Sequence, residues 1–343
     1  MNNHSLISID LAKNVFQVCV LDMHRKPVFN KKVSRQKLLS TVQQFAAPRV
    51  VMEACYSSNH WGRQIKALGY QVDLIPPHQV KPFLVGNKND HNDALAIAEA
   101  ASRPKASFVA VKGLEQQDIQ SLYRIRDRLM RSRTAVANQL RGLLAEYGVV
   151  VEKKVASLRQ QVPLILEDAS NALTVMARHF INDLYQELSE LDARIKRQEQ
   201  QAQVLLGLND DYRRLQTIPG IGPVISGHIL AAIEDVRQFK NGRNMAAWIG
   251  LTPQQHASGD TSRMRGISKR GNNTLRRQLI HGARSVLRHC EAKDDPLNLW
   301  LKTLIKTKHK NKVVVALANK LARIAWAVLK YQTDYQPGQL ANT

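Results

Sequence analysis

The sequence predicts an α/β domain followed by two largely helical regions, and three observations predict it. Short apolar runs ending in acids alternate with amphipathic stretches over residues 5–111. Apolar residues then recur at three- and four-residue steps over 114–206. A basic stretch punctuated by Gly and Pro follows over 210–333. The expected division is 1–112, 113–208 and 209–343, in keeping with the two or three domains that 343 residues imply.

In the first region Ser5–Asp10, Val15–Asp22 and Pro27–Val33 read as three strands. Lys37–Phe45 is a short amphipathic helix and Arg49–Glu53 a fourth strand. Ser57–Leu68 is helical, Gln71–Ile75 is a strand stopped by Pro76-Pro77, and Asp90–Ala101 is a helix ending before Pro104. Phe108–Val111 reads as a last short strand. An antiparallel meander followed by alternating helix and strand is the RNase H-like order.

The second region carries Leu122, Ile125, Leu129, Val136, Leu140 and Leu143 on one helical pattern, with Arg124, Arg126, Arg128, Arg131, Arg133 and Arg141 between them. Gly148 is a C-cap candidate. After a connector around Pro163, a second pattern runs from Leu173 to Ile195. Two such helices predict an antiparallel hairpin or coiled coil, either a spacer packed on itself or a dimerisation arm.

The third region is predicted to be mainly helical. Ile218-Pro219-Gly220-Ile221-Gly222-Pro223 before an apolar helix at Val224–Ile233 resembles the turn of a helix-hairpin-helix. There Gly220 and Gly222 let backbone approach a phosphate; an ordinary Gly-Pro helix connection is the competing reading. A polar loop through Ser258-Gly259-Asp260 precedes Ile267-Ser268-Lys269-Arg270-Gly271-Asn272 and a helix bearing Arg276, Arg277 and Arg284. Residues 251–312 hold 14 Lys+Arg against 4 Asp+Glu, so Lys269, Arg270, Asn272, Arg276 and Arg277 are candidate phosphate contacts. The last helix, about Val313–Leu329, is apolar enough to dock on a core.

Net charge is +22, with 50 Lys+Arg against 28 Asp+Glu, yet 44% of the residues are hydrophobic. The charge therefore belongs to a folded protein and points to nucleic acid or an anionic surface. No segment reaches the roughly 18 uncharged apolar residues of a spanning helix, so no membrane partner is expected. Met1-Asn2-Asn3-His4 lacks the layout of a signal peptide. The three cysteines, Cys19, Cys55 and Cys290, are widely spaced and odd in number, which excludes a disulfide framework or a cysteine zinc finger and fits a cytoplasmic, nucleoid-associated protein.

Against this basic background four acids stand at element ends: Asp10, Glu53, Asp90 and Asp93. Two-metal phosphoryl transfer needs oxygen ligands around a pair of ions about 3.5–4 Å apart, and magnesium prefers carboxylates and water. Asp90 and Asp93, three residues apart, share a helix face and can both point at Asp10. Each acid also has a plainer role. Asp90 suits a helix N-cap and Asp93 the capping-box position; Asp10 suits a turn, and Glu53 an exposed strand end.

The motifs Ile9-Asp10-Leu11-Ala12-Lys13, Met52-Glu53-Ala54-Cys55 and Asn89-Asp90-His91-Asn92-Asp93-Ala94 resemble those of the DEDD-type insertion-sequence transposases related to the Piv DNA invertase. So do Ile218-Pro219-Gly220-Ile221-Gly222, Ala247-Trp248-Ile249-Gly250-Leu251-Thr252-Pro253, Ser258-Gly259 and Gly266-Ile267-Ser268-Lys269-Arg270-Gly271-Asn272. The resemblance spans nearly the whole chain. It implies a Holliday-junction-resolvase-like first domain with Asp10, Glu53, Asp90 and Asp93 on Mg2+, and a serine nucleophile at Ser258. It also implies a homo-oligomer, dimer or tetramer, acting on donor and target DNA through a circular intermediate, guided by a structured non-coding RNA. Where many relatives read Ser-Gly-Gly, this chain has Asp260 in the third place. Without the resemblance Ser258 is a loop serine with no His-Asp pair beside it, although His256 lies two residues away. A structure-selective endonuclease using the same acids with water, and a non-catalytic nucleic-acid-binding protein, are the alternatives to a recombinase.

Overall fold

The computed structural model describes residues 4–85, 89–258 and 261–338, with backbone alone at 257, 258, 261 and 262. The chain divides into two compact units, Met1–Glu115 and Gln116–Thr343.

The first unit contains β1 (His4–Asp10), β2 (Val15–Asp22), β3 (Pro27–Ser34), α1 (Leu38–Gln43), β4 (Arg49–Glu53), α2 (Ser58–Ala67), β5 (Gln71–Ile75), α3 (Pro77–Val80) and α4 (Asp90–Ala101). Its five strands lie in the order β3-β2-β1-β4-β5. The β1–β2 and β2–β3 pairs are antiparallel, and β1–β4 and β4–β5 are parallel. This is the RNase H-like order expected from the sequence.

β1 lies in the middle, covered on both faces, which is why it reads as a nearly unbroken apolar run. Ile7, Ile9, Val50 and Met52 face α2, where Trp61 and Ile65 cover them. Leu6, Cys19, Leu21, Val51 and Ile75 face α4. That helix offers mostly alanines, Ala94, Ala98 and Ala101 with Ile97, so it sits close to the sheet. Ser8 Oγ donates to the Ala94 carbonyl at 2.7 Å, pinning the first turns of α4 over β1. The strand expected at Phe108–Val111 is reduced to one bridge between Leu74 and Val109.

The second unit begins along α5 (Leu114–Glu146), followed by α6 (Val155–Glu167) and α7 (Val175–Leu206). α5 and α7 run antiparallel, as the pairs Arg126–Glu199 and Arg133–Asp192 show. Gly148 ends α5 with φ +75°, as expected of a C-cap. The expected connector around Pro163 is instead a 13-residue helix with the proline inside. Proline cannot donate to the carbonyl four residues back, which belongs to Arg159; the Tyr185 hydroxyl donates to it instead, at 3.2 Å. Leu158 and Val162 of α6 pack with Leu140 and Leu144 of α5 and Ile181 and Leu188 of α7, so the arm has three helices rather than two.

The rest of the unit comprises α8 (Asp210–Gln216), α9 (Pro223–Ala232), α10 (Gly242–Ile249), β6 (Pro253–Ser258), β7 (Thr261–Ile267), α11 (Asn273–Arg288), α12 (Pro296–Thr307) and α13 (Lys310–Tyr331). α13 is the core: its apolar face, including Val313, Leu317, Leu321, Ile324 and Val328, is buried among Ile229, Met245, Leu279 and Leu301 of the surrounding helices. The polar stretch expected as a loop is a β-hairpin in which His256 pairs with Arg263 and Ser258 with Thr261. α12 also went unread in the sequence. Among the described residues, no helix is long and apolar enough to cross a membrane.

Candidate metal centre and the C-terminal clasp

Asp10 closes β1 and pairs with Gln17 of β2, which in turn pairs with Lys32 of β3. Above this row α4 begins. Its N-cap is Asn89, whose side chain accepts from the Asn92 amide at 2.8 Å. The cap is therefore neither Asp90 nor Asp93, although both lie in the first turn, where acid complements the helix dipole. The carboxylates of Asp10, Asp90 and Asp93 come within 4.8 Å of one another.

Glu53 is not part of that group of three. It ends β4 one step beyond the Ile9–Met52 pair, on the strand next to Asp10 and, by strand alternation, on the same face. A polar chain fixes the first turn of α4. Gln17 Nε2 donates to Asn30 Oδ1 at 2.6 Å, and Asn30 Nδ2 donates to the His91 carbonyl at 3.2 Å. Lys32 Nζ lies 2.9 Å from Asp90 Oδ2, with both side chains exposed. Sequence reasoning missed Asn30, Gln17 and Lys32, because only strand register brings them under α4. Asn89 could have been found as the Asn before the helix.

Three like charges at this distance repel, and a hard divalent cation relieves the repulsion. The donor set is all oxygen, which suits such an ion. Asp93 Oδ1 is buried without a hydrogen-bond partner among the described residues, a cost that a cation at that oxygen would remove. The residues present therefore fit a divalent metal.

In the second unit two of the motifs pack against each other. Gly250 has φ +80° and Gly271 φ +78°, in the left-handed region that favours glycine. A Cβ at Gly271 would lie 1.8 Å from the Trp248 carbonyl oxygen, and one at Gly250 would lie 2.0 Å from that of Arg270. Lys269 N–H donates to the Gly250 carbonyl and Ser268 N–H to that of Thr252. Arg276 locks the crossing: Nη1 donates to the carbonyls of Ile249 at 2.8 Å and Arg270 at 3.1 Å, and Nη2 to Asn273 Oδ1 at 2.9 Å. From this clasp the β6–β7 hairpin extends, with Ser258 as the last residue of β6.

Comparison with known proteins finds a family match in each of the two motif-rich regions. A DEDD transposase model of IS110 elements matches residues 7–149, and the model described as the transposase IS116/IS110/IS902 family matches residues 212–297. The transposase of insertion sequence element IS1111A from Coxiella burnetii is 44% identical over 98% of this chain and 93% of its own length. A probable family 20 transposase from Pseudomonas aeruginosa is 43% identical over 98% of this chain and 100% of its own.

The chain belongs to the IS110/IS116 family of transposases.

A pilin gene-inverting protein of Moraxella bovis is also related, 30% identical over 37% of this chain and 39% of its own length. The transposase is thus an insertion-sequence recombinase whose substrates are DNA, and its DEDD-type domain implies a divalent metal site where the acidic cluster stands.

Not every basic residue of the transposase is available to DNA. The phosphate contact expected of Arg276 does not fit its position, since it is 7% exposed and its donors hold backbone carbonyls. Burial also lowers its guanidinium pKa from the usual value. Lys269, Arg270 and Arg277 are exposed, and Arg277 is paired with Asp127 at 3.2 Å. Asn272 caps α11 by accepting from the Leu275 amide. Gly220, at φ +81°, packs where a Cβ would meet the Gly282 carbonyl at 2.8 Å, so α11 needs that glycine irrespective of any ligand. Gly222 caps α9 and has open space beside it. The Ser258 side chain, and Gly259 and Asp260 entirely, lie outside the described residues.

Proposed function

We propose that the transposase cuts and rejoins DNA strands with Ser258 as the nucleophile, at a magnesium centre held by Asp10, Asp90 and Asp93 with Glu53 beside them. The observation that carries this reading is the convergence of three carboxylates on one point, one of them with a buried oxygen lacking a partner. Magnesium bound there supplies Lewis acidity toward a phosphodiester oxygen and offsets charge developing in the transition state. The chain's own residues do the rest. Asn89, Asn30 and Gln17 hold α4 so that Asp90 and Asp93 face Asp10, and Lys32 brings a positive charge to the rim.

A recombinase must rejoin strands without an external energy source, which favours covalent catalysis. Ser258 Oγ forms a bond to phosphorus as a backbone P–O bond breaks, and the departing strand end takes up a proton and leaves as a hydroxyl. Attack by a hydroxyl end of the new partner strand reverses the exchange and frees the serine. Ser258 and the acids belong to different units, so the reaction requires them to meet, within one chain or between two copies in a homo-oligomer. Lys269, Arg270, Arg277 and Gly222 are the candidate DNA-backbone contacts.

On α5, Arg126 pairs with Glu199, Arg133 with Asp192, and Arg141 holds the carbonyls of Glu152 and Lys153. Arg124, Arg128 and Arg131 remain exposed on one helical face. The stripe suits a phosphate backbone, in keeping with a structured guide RNA as its partner.

Trapping the wild-type protein on a nicked substrate and digesting it tests the covalent step: a DNA-linked peptide containing Ser258 is expected. Full recombination by Ser258→Ala would overturn the assignment. Mixing inactive Ser258→Ala and Asp10→Asn proteins restores activity if two copies share a site.

A further inference from the structure

Away from the acidic centre, the second unit contains a polar cavity of about 160 Å3 between α5, α9 and the start of α11. Gln120, Arg124 and Asp127 of α5, His228 of α9, and Asn272 and Thr274 of α11 line it. We propose that this cavity takes one unstacked pyrimidine base carrying an exocyclic amino group, a cytosine, with its phosphate held at the rim by Arg124 and the first turn of α11.

Size is the first argument. A cavity of about 150 Å3 admits benzene, so this one has room for a six-membered ring. The second argument is hydrogen bonding. His228 is 6% exposed, and its Nε2 has no hydrogen-bond partner among the described residues. The nearest acid atom, Asp127 Oδ1, is 3.6 Å away, beyond hydrogen-bond reach.

Both groups are held in place from behind. Tyr123 packs on the imidazole at 4.6 Å between ring centroids, and Arg277 holds the other Asp127 oxygen at 3.2 Å. Burial lowers the His228 pKa to about 4; nearby Asp127 opposes the shift, while Arg126 and Arg277 add to it. The imidazole is therefore neutral at pH 7 and can accept or donate. A carboxylate beside a neutral imidazole repels an anion and attracts an amino group, and Asp is a natural acceptor for cytosine N4. The charge needed for the phosphate lies at the rim. Arg124 is exposed there, and the first-turn amides of α11 point out of the helix end.

The inference deepens the reading of the chain as a nucleic-acid enzyme, but its test is independent of strand cleavage. Full-length protein labelled with 15N-histidine is titrated with cytidine monophosphate, ribose 5-phosphate and inorganic phosphate, the His228 resonance being the one that disappears in His228→Gln. Cytidine monophosphate is expected to shift that resonance saturably, with ribose 5-phosphate and phosphate at least tenfold weaker. Ala232→Leu, which fills the cavity from its apolar wall, is expected to weaken cytidine monophosphate at least tenfold at an unchanged melting temperature. If that variant melts early, Gln120→Leu at a half-exposed position of α5 replaces it, with the same tenfold loss expected. An equal response to ribose 5-phosphate or phosphate would make this an anion site and overturn the base assignment. So would no saturable response up to about 10 mM, where even a free energy near 4 kcal/mol registers, or a filled cavity that binds as well as wild type.

Discussion

The two motif-rich regions use their residues in opposite ways. In the first unit the motif acids are gathered: three carboxylates come within 4.8 Å, and Asp93 keeps a buried oxygen without a hydrogen-bond partner among the described residues. In the second unit several motif residues are consumed by the fold. Gly250 and Gly271 exist for a backbone crossing, and Arg276 spends its donors on the carbonyls of Ile249 and Arg270. Hydrogen-bond accounting separates the two cases where sequence resemblance treats them alike. A motif residue whose polar atoms are all satisfied is scaffold, and one left unsatisfied in a native structure points to a ligand.

Substitutions can break this contrast. The largest effect is expected at the acids. Asp10→Asn should cut strand cleavage by about 10²–10³-fold or more, with DNA affinity in a gel-shift assay unchanged, because binding comes from the basic surface. Next comes the clasp. Gly271→Ala forces a Cβ onto the Trp248 carbonyl and a non-glycine residue into a left-handed conformation. It should cost about 3 kcal/mol or more in urea unfolding. Arg276→Met leaves two carbonyls without their donor and should cost about 2–3 kcal/mol. Lys269→Ala and Arg270→Ala should leave unfolding within about 0.5 kcal/mol and instead lower the log–log salt slope of DNA binding by about 0.9 each. Loss of stability in these two, or an altered salt slope without instability in Arg276→Met, would reverse the roles assigned.

A smaller effect concerns pH. His228 has a folded-state pKa of about 4, below its unfolded value of 6.5. The unfolded chain therefore binds the proton more readily, and stability falls as pH drops from 6.5 toward 4. His228→Gln should flatten that part of the melting-temperature profile and leave the part above pH 7 unchanged.

The sheet and its acids were legible because short apolar runs that end in acids are local patterns. The β6–β7 hairpin was not, since Pro253–Ser258 and Thr261–Ile267 carry no apolar alternation and read as loop. Pro163 misled for a different reason: its missing donor is made good by Tyr185, distant in sequence. Asp90 passed for a cap because the true cap, Asn89, is its neighbour. Arg276 looked like its neighbour Arg277, and only packing sent one inward. The cavity at His228 had no local signal at all, being assembled from three helices far apart in the chain.

The central claim is that the acidic cluster is a metal site, and cation binding tests it most directly. Isothermal titration of the full-length protein with Mn2+, a stand-in for magnesium, should show one or two saturable sites in the wild type. Asp93→Asn should lose them at an unchanged melting temperature. Equal Mn2+ binding by wild type and Asp93→Asn, or undiminished strand cleavage by wild type in EDTA, would contradict the account.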